Sequence, residues 1–347
     1  MHRSAMIAVL VVGVGCGSGG SPSAGSGGGA GSGPGTASAS APETDAGGPQ
    51  LKMITPDIRT LPEPVIELPK EESTRLLAPG AEPRAPLRYA WQAQHPREVT
   101  VEARIKSRRL DAGAWSPQAE VPAVREGFGF DAAPAADGSA TLAFRGLVSS
   151  IVGDPTDADR ARAGEYLAQF RQLIEHRRGT AIVDARGRLT NVRFSDESPT
   201  APSMTARDEV AQRWLAVAVP LPDEPIGLGG SWRVVTVLRA GAAVVKQTAD
   251  YTLVARTADR WTIDVALRRI GEEQLVDVPG MPRGTVAELV AMFRELKGRV
   301  VVEPSLPWPV SGALSSELRV HAKFGVPNQG VVEDITEDIG ALTLTSK

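Results

Sequence analysis

From residue 87 onward, apolar and polar side chains alternate in short runs along much of the chain. The clearest run is 260–268, RWTIDVALR, in which Trp261, Ile263, Val265 and Leu267 fall on one side and Thr262, Asp264, Ala266 and Arg268 on the other. Strand side chains point alternately to opposite faces, so this pattern predicts a strand with one face in a core. Residues 250–256, DYTLVAR, alternate in the same way, and the short link TADR between the two runs predicts an antiparallel hairpin. Further strands are expected over 88–94, 99–106, 140–147, 179–184, 188–194, 231–239, 298–302, 312–324 and 331–345, with a second hairpin turning at DARG, 184–187.

Three stretches carry a different period. Residues 157–178 place Tyr166, Leu167, Phe170, Leu173 and Ile174 at three- and four-residue spacing, and 205–217 do so with Val210, Trp214 and Val217. Residues 285–297 open on TVAE, a capping box, carry Val286, Leu289, Val290, Phe293 and Leu296 at helical spacing, and are followed by Gly298. The expected fold class is therefore α+β: predominantly antiparallel β, a curled sheet or open barrel with about three amphipathic helices packed on it. One domain over 87–347 is expected, and a split into two abutting subdomains stays open.

The pattern before residue 87 is unlike the rest. Arg3 precedes an apolar run, MIAVLVVGVG, which ends at Gly15 and is followed by Cys16, the single cysteine of the 347 residues. The run fits the hydrophobic region of a signal peptide and is too short to span a bilayer, which takes about 20 residues. Residues 17–48 are almost entirely Gly, Ser, Ala and Pro, a composition that cannot bury enough surface to offset its ordering entropy. The expected organisation is a signal peptide over 1–15, a disordered Gly/Ser-rich tether over 16–50, a Pro-rich extended arm over 51–86 and the β-rich domain. For the arm, two readings stand: a segment lying on the domain, or a free linker.

Gly13, Val14, Gly15 and Cys16 resemble the lipobox of bacterial lipoproteins, with Gly13 where Leu is usual. The resemblance implies cleavage between Gly15 and Cys16, diacylglycerol on the Cys16 sulfur and acylation of the new amino terminus. Two or more acyl chains make a stable anchor where one does not. Gly17, in place of the Asp that retains enterobacterial lipoproteins in the inner membrane, resembles the outer-membrane class. A second phrase, LPDEPIGLGGSWRVV at 221–235, is similar to one in an uncharacterised family of bacterial envelope lipoproteins of unknown function. Its prolines and glycines read as turn-forming, with Trp232 anchoring the strand that follows.

Composition removes several function classes. With 38 Lys+Arg against 41 Asp+Glu the formal net charge is -3, which offers no electrostatic footprint for nucleic acid. One cysteine and four scattered histidines provide no disulfide and no metal-ligand spacing, so no cofactor is expected. No nucleophile elbow, Walker loop or dinucleotide fingerprint occurs, and the acidic residues Glu333, Asp334, Glu337 and Asp338 lack calcium-loop spacing and read as a solvated face or loop. His321 alternates with Arg319 and Lys323 and belongs to a polar face. Trp214, Trp232 and Trp261 stand out as residues that would either line an apolar ligand cavity or simply fill the core.

The expectation is thus a non-enzymatic lipoprotein of the cell envelope, anchored by acyl groups on Cys16, in the outer membrane. Its β-rich domain would bind an apolar or lipid ligand. A structural or assembly scaffold for envelope proteins is the alternative, and a hydrolase with a spatially assembled site is the remote one.

Overall fold

The computed structural model describes residues 70–93, 97–111, 113–147, 150–153, 156, 157, 160, 178–194, 219–240, 243–276, 286–326 and 330–347. Their strands are β1 (Lys70–Ala78), β2 (Arg97–Asp111), β3 (Ala114–Trp115), β4 (Ala119–Pro134), β5 (Ala140–Gly146), β6 (Ser150–Ile151), β7 (Arg178–Val183) and β8 (Leu189–Phe194). The second half of the chain adds β9 (Ser231–Ala240), β10 (Ala243–Arg256), β11 (Trp261–Gly271), β12 (Gln274–Val276), β13 (Val286–Val302), β14 (Ser311–Val326) and β15 (Gly330–Ser346). All belong to one fifteen-stranded antiparallel open sheet, ordered β1-β9-β10-β11-β13-β14-β15-β2-β4-β5-β7-β8, with β12, β3 and β6 as short additions beside β13, β2 and β4.

The order has a simple logic. Residues after 97 run as one meander from β2 to β8, and residues after 231 run as another from β9 to β15. The carboxyl-terminal strand β15 then pairs with β2, Leu344 opposite Val101 and Leu342 opposite Ala103, and so fuses the two meanders into one sheet. Of the Pro-rich arm, residues 70–78 form β1, which pairs with β9.

One face of the sheet is apolar and buried. Its main cluster draws on both ends of the strand order, from Val192 of β8 to Trp232 and Val234 of β9, so the sheet curls about this face. Connecting segments tie the two ends: Tyr89 N donates to Ala185 O at 2.8 Å, and Leu221 N to Arg186 O at 2.9 Å. Residues 88–94, read from their alternation as a strand, are instead an extended connector over the described 88–93. Leu87, Tyr89 and Trp91 are buried, but the backbone bonds singly to two loops, with Ala90 N reaching Pro304 O, rather than to a ladder.

The expected α+β class is overturned: the described residues form an all-antiparallel β structure with no helical element. Residues 285–297 are the decisive case, because all but the first lie in β13. Their Ala, Leu, Glu, Met and Lys are good helix formers, but propensity is a weak prior against tertiary context. Here β11 pairs along one side, from Trp261–Val302 to Gly271–Met292, and β14 along the other. An irregularity between Leu289 and Ala291 shifts the alternation so that Leu289, Met292 and Leu296 all face the core. Val286, apolar and in helical phase, is left exposed. Gly298, expected as a helix terminator, marks a close approach instead: a Cβ there would lie 2.0 Å from Ala313 O. The other two expected helices, 157–178 and 205–217, fall almost wholly outside the described residues.

The Leu-Pro-rich phrase is a knot between two segments. Gly227 N donates to Pro79 O at 2.9 Å and Ala81 N to Leu228 O at 2.8 Å, while Ile226 pairs with Ala85. A Cβ on Gly227 would sit 1.6 Å from Ala81 O, so only glycine fits. Trp232, wholly buried, donates its indole N–H to Pro220 O at 2.8 Å.

Candidate functional site

The buried face is not uniformly apolar. Strand pairing places Thr236 of β9 opposite Gln247 of β10, Gln247 opposite Arg269 of β11, and Arg269 opposite Arg294 of β13. Arg294 stands opposite Leu318 of β14, Leu318 opposite Asp338 of β15, and Asp338 opposite Ser107 of β2. Thr236, Gln247, Arg269, Arg294 and Asp338 are all buried. They form a transverse polar row, broken only by Leu318, across the middle of the inner face.

On one side of the row lies the main cluster, including Leu253, Ile263, Leu267 and Leu296. On the other lies a second cluster, built from Leu238, Val245, Leu289, Met292, Val320 and Phe324 among others, whose members all come from β9, β10, β12, β13 and β14. Each such side chain contributes roughly 1.5–3 kcal/mol by its burial. A row of charges between two apolar fields works against that gain, because burying an ion costs several kcal/mol unless a counter-charge is present.

Arg269 is 3% exposed. Its Nε donates to Gln247 Oε1 at 2.8 Å, and its Nη2 meets no acceptor. Burial, joined by the neighbouring Arg294 charge, lowers the guanidinium well below its ordinary value, to about 9, which still leaves it cationic at neutral pH. Burial likewise pushes the Tyr251 hydroxyl, close by on β10, far up. At the far end of the row burial raises the Asp338 carboxyl against the opposing pull of a Ser107 hydrogen bond and the Arg294 charge. Asp338 Oδ1 has no hydrogen-bond partner. The row therefore carries two guanidiniums against one carboxyl that burial disfavours as an anion.

Trp232 and Trp261 sit at the packed end of the main cluster. Trp232 stacks on Tyr251 with ring centroids 5.4 Å apart, and Trp261 meets Tyr89 edge-on at 5.9 Å. Neither lines the outer-face groove bordered by Val237, Lys246 and Ile270, nor the groove bordered by Lys106, Val121 and Ile339. Trp214, and Gly15 and Cys16 with the whole leader, lie outside the described residues.

Of the acidic residues near the carboxyl terminus, none is in a loop; Glu333 is exposed, as on a solvated face, while Glu337 and Asp338 are buried. They lie in β15, where Glu337, almost wholly buried, pairs with Arg108 and Arg319, and Asp334 pairs with Arg109. His321 faces outward with Arg319, as its alternation implies, and contacts Glu333 Oε1 at 2.6 Å. Among the described residues, no cluster of three or more His, Cys, Asp or Glu is arranged to hold a metal ion.

Sequence reading missed the polar row, although a signal for half of it was present. The alternation of Trp261, Ile263, Val265 and Leu267 continues in phase to Arg269, one residue beyond the strand end read at Arg268. Arg294 was hidden by the helical reading of its segment. No family model matches the chain, and no curated protein matches it.

Proposed function

We propose that this protein is a lipid-anchored component of a bacterial envelope whose β-rich domain holds an apolar or lipid ligand without catalysing a reaction. Support for the anchor is the lipobox-like run ending at Cys16, with a Gly/Ser tract behind it long enough to reach roughly 30 Å from a membrane surface. The observation that carries the ligand reading is the inner face: two apolar fields divided by a buried polar row with an unpartnered donor. Ligand sites have this composition, mostly apolar lining with a few placed polar groups that fix orientation.

Two measurements test the reading. Labelled palmitate should enter the wild-type chain and not Cys16→Ser, and Cys16→Ser should leave the membrane fraction. Organic extraction of the purified protein should release a lipid that is not covalently bound. A Cys16→Ser chain that stays with membranes removes the anchor, and an empty extract removes the ligand.

A scaffold role is the second reading. It draws on β1 and β8, the terminal strands of an open sheet, each paired on one side only among the described residues. Exposed strand edges recruit partners by strand addition. Recovery of a specific envelope protein, lost when β1 is interrupted by proline, would favour it.

A further inference from the structure

We infer that an outer-face rim formed by Val244, Ile270, Leu275, Val286 and Val331 is a second membrane contact, seating the domain on the lipid surface to which Cys16 ties it. The inference rests on the lipid-anchor reading above and names the face that the domain turns toward the bilayer.

Much of the outer face is polar and internally paired. Arg233 holds Asp250 through two hydrogen bonds of 2.6 Å, Arg299 holds Asp264, Arg268 meets Glu295 at 2.8 Å, and Arg125 reaches Glu102. At one end of the strands the character changes. Leu275, Val331, Val286 and Ile270, at 75%, 72%, 57% and 51%, are the four most exposed large apolar side chains among the described residues. Register brings them together, because directly opposed residues of paired strands share a face. Val286 of β13 and Val331 of β15 both stand opposite Gly325 of β14, which puts no side chain between them. Leu275 stands opposite Glu288, two residues along from Val286 and on the same face. Gln274 ties in Val244: its Oε1 accepts from Val244 N at 2.7 Å and its Nε2 donates to Val244 O at 2.9 Å. Ile270 stands opposite Lys246, which shares a face with Val244.

Single exposed valines and leucines need no explanation, but a contiguous group marks an interaction surface. The path of the chain says with what. Residues 1–69, which carry Cys16, join the sheet at Lys70, the first residue of β1. Lys70 stands opposite Val237, Val237 opposite Lys246, and Lys246 opposite Ile270. The tethered end of the sheet and its apolar end are therefore the same end. A tether makes the second contact intramolecular, so a surface too weak to bind lipid alone can still engage. Acyl groups on Cys16 and an apolar rim together supply the two signals that stable anchoring takes. Charge assigns the contact to apolar burial. Lys246 and Arg268 border the groove at this end together with Glu272 and Glu273, so the rim carries no polybasic patch.

The full chain, coupled through its single thiol at Cys16 to a maleimide lipid in phosphatidylcholine vesicles, tests this. Brominated acyl chains quench tryptophan that lies within the bilayer. Leu275→Trp and Val331→Trp each add a reporter at the rim. Leu228→Trp adds one at a site 50% exposed and at the opposite end of the sheet, where Gly229 N donates to Leu253 O. Most of the added fluorescence of the two rim variants should be lost and that of Leu228→Trp kept, at low and high salt alike, since salt screens charges and not apolar burial. Equal quenching at both ends, or none at either, overturns the rim. Quenching that high salt abolishes makes the contact electrostatic and overturns the apolar assignment. A rim reporter whose emission moves to the blue with protein concentration, before lipid is added, gives the rim to a second copy of the chain and overturns the membrane contact. Coupling supplies the anchor chemically, so these outcomes are independent of acylation in the cell, which palmitate labelling tests by itself.

Discussion

Arg269 and Arg294 occupy directly opposed positions on β11 and β13, both buried, at the boundary between the two apolar clusters of the sheet. A domain held together only by its core would gain from replacing them with apolar residues, since buried ionic groups are often matched or bettered by well-packed hydrophobic ones. Buried charges of this kind are uncommon in the core of an ordinary sheet.

The first prediction follows from that comparison. The double variant Arg269→Met/Gln247→Leu removes a buried cation and its acceptor together, so neither partner is left unsatisfied. Ligand-free, it should be more stable than wild type by about 1–4 kcal/mol in chemical denaturation. Arg269→Met alone should gain less, because Gln247 Oε1 loses its donor.

Asp338 supplies a pH prediction. Its folded-state pKa is raised above the ordinary 3.8, so the folded protein holds the proton that the unfolded chain has released. Stability from this group is fully present below 3.8 and is lost as pH rises through the raised folded value. The groups facing it are Ser107 from β2, Leu318 from β14 and the more distant Arg294 charge. Denaturation midpoints of wild type, measured against Asp338→Asn, should fall as pH increases from 3.8 upward. A difference that stays flat, or rises, contradicts the burial assigned to this carboxyl.

The glycine knot gives a third, independent of any ligand. Gly227→Ala places a methyl 1.6 Å from Ala81 O, a clash with backbone that no rotamer relieves. Gly229, at φ +73° with nothing within 4 Å of its added Cβ, meets only the left-handed backbone penalty. Thermal unfolding should show Gly229→Ala losing about 1–2 kcal/mol and Gly227→Ala losing clearly more, or failing to fold. Equal losses would mean that residues 79–81 do not pack against the phrase.

Most of the sheet was legible because alternation is a local signal: β11, β14 and β15 follow directly from which residues repeat every second position. β13 was not, because its composition favours helix and only pairing on both sides, by β11 and β14, makes it extended. β4 was missed for a related reason, since Pro122, Gly127 and Gly129 interrupt its apolar pattern. The row of Thr236, Gln247, Arg269, Arg294 and Asp338 is long-range by nature. Each member lies on a different strand, and only register aligns them.

A native mass spectrum of the protein, purified from the cells that make it, before and after organic extraction, is the most direct test of the ligand-holding proposal. The account predicts a non-covalent mass excess matching a lipid or other apolar molecule, removed by extraction. An identical mass before and after extraction would contradict it.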